Sequence, residues 1–151
     1  MNSRKKSIWV GEALERALAE RVEERATGST SSIINCIADR YCETVRRSTP
    51  DLTQDEWMLI FDSLNGVVLT DSAQSVAGLW GGIEDSIELD GLDEKWSVDG
   101  QALVEKLRAL DYPQQVAIAD TAERYWAKFG TGTGAVDHGE ALKELGVKVA
   151  Y

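Results

Sequence analysis

The sequence predicts a mostly α-helical chain in two parts, a small N-terminal module and a larger acidic domain. Apolar residues recur at helical spacing along most of the 151 residues, and period-two alternation is confined to one short segment near the start. The charge is also divided unevenly: residues 1–47 carry nine Lys/Arg and seven Asp/Glu, whereas residues 48–151 carry seven and nineteen. The net charge of −10 therefore combines a module of +2 with a domain of −12, which suggests two separate tasks.

One strand is predicted at the start of the N-terminal module, which we place at residues 1–48. Within residues 4–10, Ile8 and Val10 alternate with Ser7 and Trp9. This period of two is typical of a half-buried strand. A single strand is unstable because its edges expose unpaired backbone N–H and C=O groups. The segment therefore needs a strand partner.

Two amphipathic helices are predicted after this strand. The first begins at Gly11 and ends before Gly28, a natural left-handed cap, and its apolar stripe consists of Leu14, Leu18 and Val22. The second follows Ser29, an N-cap residue, and its apolar stripe consists of Ile33, Ile34, Ile37, Ala38, Tyr41 and Val45. The sequence Ser-Thr-Pro-Asp at 48–51 breaks the pattern and marks the domain boundary.

The order of these elements over residues 4–47 resembles the ribbon–helix–helix superfamily of the Arc, MetJ and CopG type. The resemblance covers about the first third of the chain. It rests on the strand alternation, the stripe of the first helix, the segment Gly28-Ser29-Thr30-Ser31 and the apolar run from Ile33 to Tyr41. It implies an intertwined homodimer, in which two strands form an antiparallel ribbon and four helices enclose a shared core. The residues expected in that core are Ile8, Val10, Leu14, Leu18, Ile33, Ile34 and Ile37.

The resemblance also implies that the ribbon enters the major groove of double-stranded DNA, which admits a two-stranded ribbon. If Ile8 and Val10 face the core, the residues that face the bases are Lys5, Ser7 and Trp9. Lys5 can donate to guanine O6 or N7, and Ser7 can pair with several base edges. Trp9 departs from the polar residue usual in this family. It either packs on a thymine methyl group or the sugar backbone, or extends the dimer contact.

Phosphate contacts are expected at the strand ends and at the N-terminus of the second helix, where free backbone amides form an anion site. The candidates are Arg4, Lys6, Ser29, Thr30 and Ser31. Ser29 would cap the helix with or without DNA. A helical hairpin with a basic tail, which dimerises and binds nothing, is the competing interpretation of the module.

The C-terminal domain, residues 52–151, is predicted to be entirely helical. Thr53 and Glu56 have the spacing of a capping box at the start of a helix that runs to Gly66. Pro113 suits the first turn of a later helix, because its missing N–H has no intrahelical partner there.

The end of this domain carries a second set of local signals. Asp137 and Glu140 repeat the capping-box spacing before a short helix that Gly146 ends. Residues 147–149 are expected either as a last extended piece or as a frayed tail. The acidic segment 90–100 is expected to be an irregular, solvated loop.

No catalytic set, metal site or cofactor is expected, so the chain is not expected to be an enzyme. The single histidine, His138, is expected at the surface, whereas triads and zinc sites need a histidine in a supported position.

Cys36 and Cys42 are expected in core or dimer contacts. The glycine-rich segment 130–134 lacks the lysine and the preceding strand of a phosphate loop, which favours a linker. The tryptophans expected in the core are Trp57, Trp80, Trp96 and Trp126.

These observations favour a sequence-specific DNA-binding protein, namely a dimeric transcriptional repressor. Two alternatives stay open: an antitoxin whose C-terminal domain holds a toxin, and a plasmid partition or conjugation accessory protein that coats repeated DNA sites. The expected partners are double-stranded DNA and a second copy of the chain, with higher oligomers on DNA and a protein or effector partner for residues 52–151 left open.

A cytoplasmic location is expected, with reduced thiols, because the two cysteines lack CxxC spacing. No apolar run approaches the roughly 18 residues of a membrane span. No long apolar segment follows the basic start, so neither a membrane partner nor a signal peptide is expected.

The strand parity yields a testable prediction. Lys5→Ala should weaken binding to a specific DNA site by roughly 1–3 kcal/mol and leave the dimer intact, and Ser7→Ala should shift sequence preference more than affinity. Ile8→Ala should instead destabilise the dimer by roughly 2–5 kcal/mol per buried site. Gel-shift titration and sedimentation would separate these effects. A structural role for Lys5 with a silent Ile8 would show that the parity is reversed.

Overall fold

A computed structural model of the chain describes residues 11–23, 30–64, 76–130 and 136–151. These residues form eight α-helices and one two-stranded sheet, so the predicted mostly helical class is confirmed. The chain divides into two compact units, Met1–Glu43 and Thr44–Tyr151. The predicted strand at residues 4–10 lies outside the described residues, as do Gly28 and Ser29. The ribbon–helix–helix arrangement therefore stays a prediction.

Two helices correspond to the two predicted for the N-terminal module: α1 spans Glu12–Glu23 and α2 spans Thr30–Ser48. Arg46 and Arg47 lie in the last turn of α2, where positive charge favours the helix dipole. Just beyond, the Thr49 hydroxyl donates to the Val45 carbonyl at 3.1 Å and satisfies one of the carbonyls that a helix end leaves without a partner. Pro50 then cannot continue the helix.

The second unit contains six further helices and the two short strands. In chain order they are β1 (Leu52–Thr53), α3 (Gln54–Ser63), α4 (Val76–Asp90), α5 (Leu92–Trp96), α6 (Gly100–Arg108), α7 (Tyr112–Phe129), α8 (His138–Glu144) and β2 (Val149–Ala150).

Side-chain caps fix where several of these helices begin. The Thr53 hydroxyl accepts from the Glu56 amide at 3.2 Å, and the Glu56 carboxylate accepts from the Thr53 amide at 2.8 Å, which confirms the predicted capping box. Pro113 lies in the first turn of α7, as predicted. At the start of α8, the Asp137 carboxylate accepts from the Glu140 amide at 2.9 Å, but the Glu140 side chain does not return a bond and pairs with Lys143, so the predicted capping box is only half formed.

Helix α3 is the centre of the second unit. Five consecutive residues, Trp57 to Phe61, are buried, so the helix has no solvent face over more than one turn. It contacts α4, α5, α7, α8 and β1. Phe61 stacks on Tyr125 of α7 with ring centroids 4.2 Å apart, and the Trp126 indole donates to the Phe61 carbonyl at 2.8 Å. The predicted core role of the tryptophans is confirmed: Trp57 is fully buried, and Trp80, Trp96 and Trp126 pack against the core.

The prediction of an irregular acidic loop over 90–100 is wrong. Residues Leu92–Trp96 form the short helix α5, and Asp99 caps α6 by accepting the Ala102 amide at 3.0 Å. Tertiary contacts explain the helix, because Asp62 of α3 accepts from Lys95 Nζ at 2.5 Å and from the Trp96 indole at 3.0 Å. A single turn is too short for its apolar period to be read from the sequence.

The prediction that residues 52–151 are entirely helical is also wrong in one place. β1 and β2 pair in parallel, with Leu52 opposite Val149 and Thr53 opposite Ala150. Gly146, at φ 73°, ends α8 in the left-handed conformation, as the sequence predicts. The chain that follows is extended rather than frayed at 149–150, because its backbone finds hydrogen-bond partners in β1.

The Trp126 hydrogen bond can be tested against a matched tryptophan. Trp126→Phe should lower the free energy of unfolding by about 1–3 kcal/mol more than Trp80→Phe, because it leaves the buried Phe61 carbonyl without this donor. The Trp80 indole N–H is buried with no hydrogen-bond partner within the described ranges, so the same truncation removes no hydrogen bond there. Urea denaturation followed by circular dichroism measures both. Equal losses would show that ring packing alone stabilises this contact.

Candidate nucleic-acid interface

Most of the predicted DNA-contact residues lie outside the described residues. These are Arg4, Lys5, Lys6, Ser7, Trp9 and Ser29, together with the core candidates Ile8 and Val10. Of the predicted interface, the structure describes the start of helix α2, where Thr30 and Ser31 form the first two positions and are exposed. The structure therefore places two of the predicted phosphate contacts at one helix end.

The N-terminus of α2 is electrostatically suited to an anion. The first turn of α1 contains Glu12 and Glu15, whereas the first turn of α2 contains no acidic residue. The first N–H groups of a helix have no intrahelical partner and carry the positive end of the helix dipole. With exposed hydroxyl side chains at Thr30 and Ser31 and no carboxylate in this turn, a phosphate oxygen would meet donors only.

The predicted core residues of the first unit are only partly covered in the single chain. Ile33 is buried, with 7% of its surface exposed, and it is the one buried apolar residue among the described positions of 11–43. The other four described candidates are half-buried, and we call them the α1/α2 apolar set: Leu14, Leu18, Ile34 and Ile37. On the same stripe of α2, Tyr41 is 46% exposed.

The prediction that the two cysteines lie in the core is wrong for the single chain, because Cys36 and Cys42 are both exposed. At about 100° per residue, they lie more than about 100° around α2 from the middle of its apolar stripe. A contact across a dimer stays a prediction for both.

The side chains of the second unit that could take part in acid–base chemistry or metal binding include His138, Tyr125 and the acidic groups. His138 begins α8 and is half-buried rather than fully exposed, with its ring 5.3 Å from that of Trp96. Burial, and secondly the negative charge of Asp62, raise the pKa of Tyr125, so its hydroxyl stays protonated at neutral pH. Within the described ranges, no three His, Cys, Asp or Glu side chains are grouped so that they could hold a metal ion.

A surface groove lies between α4 and α6 in the described part of the second unit. Its volume is about 420 Å³, and its walls consist of Glu84, Ile87, Glu88, Asp93, Gly100, Gln101, Val104 and Arg108. Sequence reasoning missed this groove, because only tertiary packing brings α4 next to α6. One signal was available: no Lys or Arg occurs between Arg47 and Lys95, so the α4 side of the groove contains no cation.

None of the described helices is both long enough and apolar enough to cross a lipid bilayer. Comparison with known proteins found no family model that matches the chain, and no matching curated protein or solved structure.

Proposed function

We propose that the chain is a sequence-specific DNA-binding protein that acts as a homodimer through residues 1–48, as a transcriptional repressor does. The observation that carries the proposal is the incomplete burial of the α1/α2 apolar set, in a helix pair whose order and spacing suit a ribbon–helix–helix module.

The need for a second copy follows from the contrast between the two units. The second unit buries a large apolar core from Leu52 to Val147. The described part of the first unit buries Ile33 and leaves its neighbours half-covered. Two helices bury too little surface to be stable alone. Each partly exposed Leu or Ile side chain would gain a fraction of the roughly 1.5–3 kcal/mol that complete burial of such a side chain contributes. A second copy supplies a matching surface by symmetry.

DNA is the partner that suits this module. Residues 1–47 hold nine of the sixteen Lys/Arg of the chain, and three of these nine precede residue 7. The carboxylate-free N-terminus of α2 suits a phosphate. Base reading would fall to Lys5, Ser7 and Trp9, on the strand face that the sequence pattern assigns.

The second unit favours one further candidate, an antitoxin that also binds DNA. Residues 48–151 have a net charge of −12 and contain a core of their own. Such a unit suits the binding of a basic protein, so a toxin-neutralising role stays the second proposal. A partner that co-purifies in stoichiometric amount with the full chain, and is displaced by salt, would favour it over a simple repressor.

The dimer can be tested with a matched pair of charge insertions on α1. Leu18→Glu should convert the full-length protein to monomer, because it would place a carboxylate in the shared core. Ala19→Glu makes the same charge change at an exposed neighbouring position and should leave the dimer intact. Sedimentation velocity at micromolar concentration measures both. If Leu18→Glu remains dimeric, the α1/α2 apolar set is not the dimer contact.

DNA reading can be tested by selection from a random pool of double-stranded sequences. The full-length protein should enrich a palindromic site, because a two-fold dimer reads two half-sites. Leu18→Glu should abolish enrichment, and Ala19→Glu should not. Binding that extends cooperatively along repeated sites would favour the partition or conjugation role. No enrichment by a protein that is dimeric would contradict DNA reading.

A further inference from the structure

We infer that the groove between α4 and α6 binds a basic segment of a protein partner. This inference concerns the second unit alone and does not depend on DNA binding by the first. It rests on the shape of the groove, on the charges around it and on the ion pairs that the cations of this unit form with other acidic residues.

The lining of the groove combines apolar and charged side chains from helices α4, α5 and α6. Ile87 of α4 and Val104 of α6 contribute the hydrocarbon surface. Gly100, at the start of α6, approaches two side chains closely. A Cβ atom at Gly100 would lie 2.8 Å from Ile87 Cγ2 and 3.0 Å from Asp93 Cβ. The Gly100 backbone therefore packs directly against side chains of α4 and α5.

The rim of the groove is acidic and only partly neutralised. Arg108 donates to the Glu84 carboxylate through Nε at 3.0 Å and Nη2 at 2.7 Å, so these two charges compensate each other. Glu88 and Asp93 have no cationic partner in the part of the chain that the structure describes. The uncompensated charges of Glu88 and Asp93 therefore lie beside the apolar side chains of the groove.

The second unit has few cations left to supply that neutralisation. Residues 48–94 contain eleven Asp/Glu and no Lys or Arg. Six of the seven Lys/Arg in 48–151 form ion pairs, and these are Lys95–Asp62, Lys106–Glu56, Arg108–Glu84, Arg124–Asp120, Lys128–Glu144 and Lys143–Glu140. Charge complementarity thus points to a cation from outside this unit.

A basic peptide segment is the occupant that fits this lining. Lys and Arg side chains lay their hydrocarbon stems on apolar surface and keep the charged end near polar groups. Here the stem would contact Ile87 and Val104 while the cation meets Glu88 and Asp93. Next to Glu88 in the chain, Leu89 is 81% exposed. A peptide that runs beyond the rim can cover Leu89, whereas a small amine cannot.

The test uses the full-length protein labelled with ¹⁵N and a defined probe, the peptide acetyl-Gly-Lys-Leu-Lys-Leu-Lys-Gly-amide. Titration should shift the amide signals of α4, α5 and α6 and leave α7 and α8 unshifted. The groove variant Glu88→Gln/Asp93→Asn should bind the peptide at least fivefold more weakly. The control Asp85→Asn/Asp90→Asn removes the same charge from exposed positions of α4 that do not line the groove, and it should change affinity less than twofold.

Two further measurements keep the outcome decisive. Gln101→Lys, at an exposed position of the rim, places a cation in the groove and should also abolish the shifts while the circular-dichroism melting curve is unchanged. Spermidine should bind more weakly than the peptide. The inference is overturned if both charge-removal pairs weaken binding equally, if spermidine shifts the same signals with equal affinity, or if the peptide produces no localised shift.

Discussion

The burial of α3 on every side is the constraint around which residues 44–151 are arranged. A helix with one apolar stripe needs one neighbour, but five consecutive buried residues from Trp57 to Phe61 need covering elements all round. Helices α4, α5, α7 and α8 provide them. Two polar groups of α3 bond to side chains of other helices: the Phe61 carbonyl accepts from the Trp126 indole, and the Asp62 carboxylate accepts from Lys95 and from the Trp96 indole. These bonds join α3 to α5 and α7.

The two units reach stability in different ways. Around α3, the chain covers its own apolar surface, and the remaining charges form a predominantly acidic exterior. In the described part of the first unit, the same chain leaves leucine and isoleucine side chains half-covered beside exposed arginine and glutamate. That difference is one of sequence length as much as of composition, because a short segment with two helices has too little volume to enclose a core. The proposed dimer would supply the apolar cover that such a segment lacks.

Local signals could be predicted from the sequence and tertiary ones could not. The Thr53–Glu56 capping box, Pro113 in the first turn of α7 and the left-handed Gly146 each depend on residues within one turn, and each is present. Helix α5 and the pairing of β1 with β2 depend on groups far apart in sequence, and both were missed. The groove between α4 and α6 was missed for the same reason. For the predicted DNA-contact strand the sequence pattern remains the only guide, since residues 4–10 lie outside the described residues.

The parallel pairing of Leu52 with Val149 has a consequence for the order of folding. The partners are separated by almost the whole second unit, so closing this contact carries the loop entropy of about a hundred residues. On the ribosome, β1 emerges long before β2. β1 therefore stays unpaired, and Leu52 stays uncovered by its partner strand, until nearly all of the chain has been made. Helices α1 and α2 need only short-range contacts and are free of that delay. Two nascent chains on one messenger could therefore associate through their first helices while the acidic unit behind them is still being synthesised.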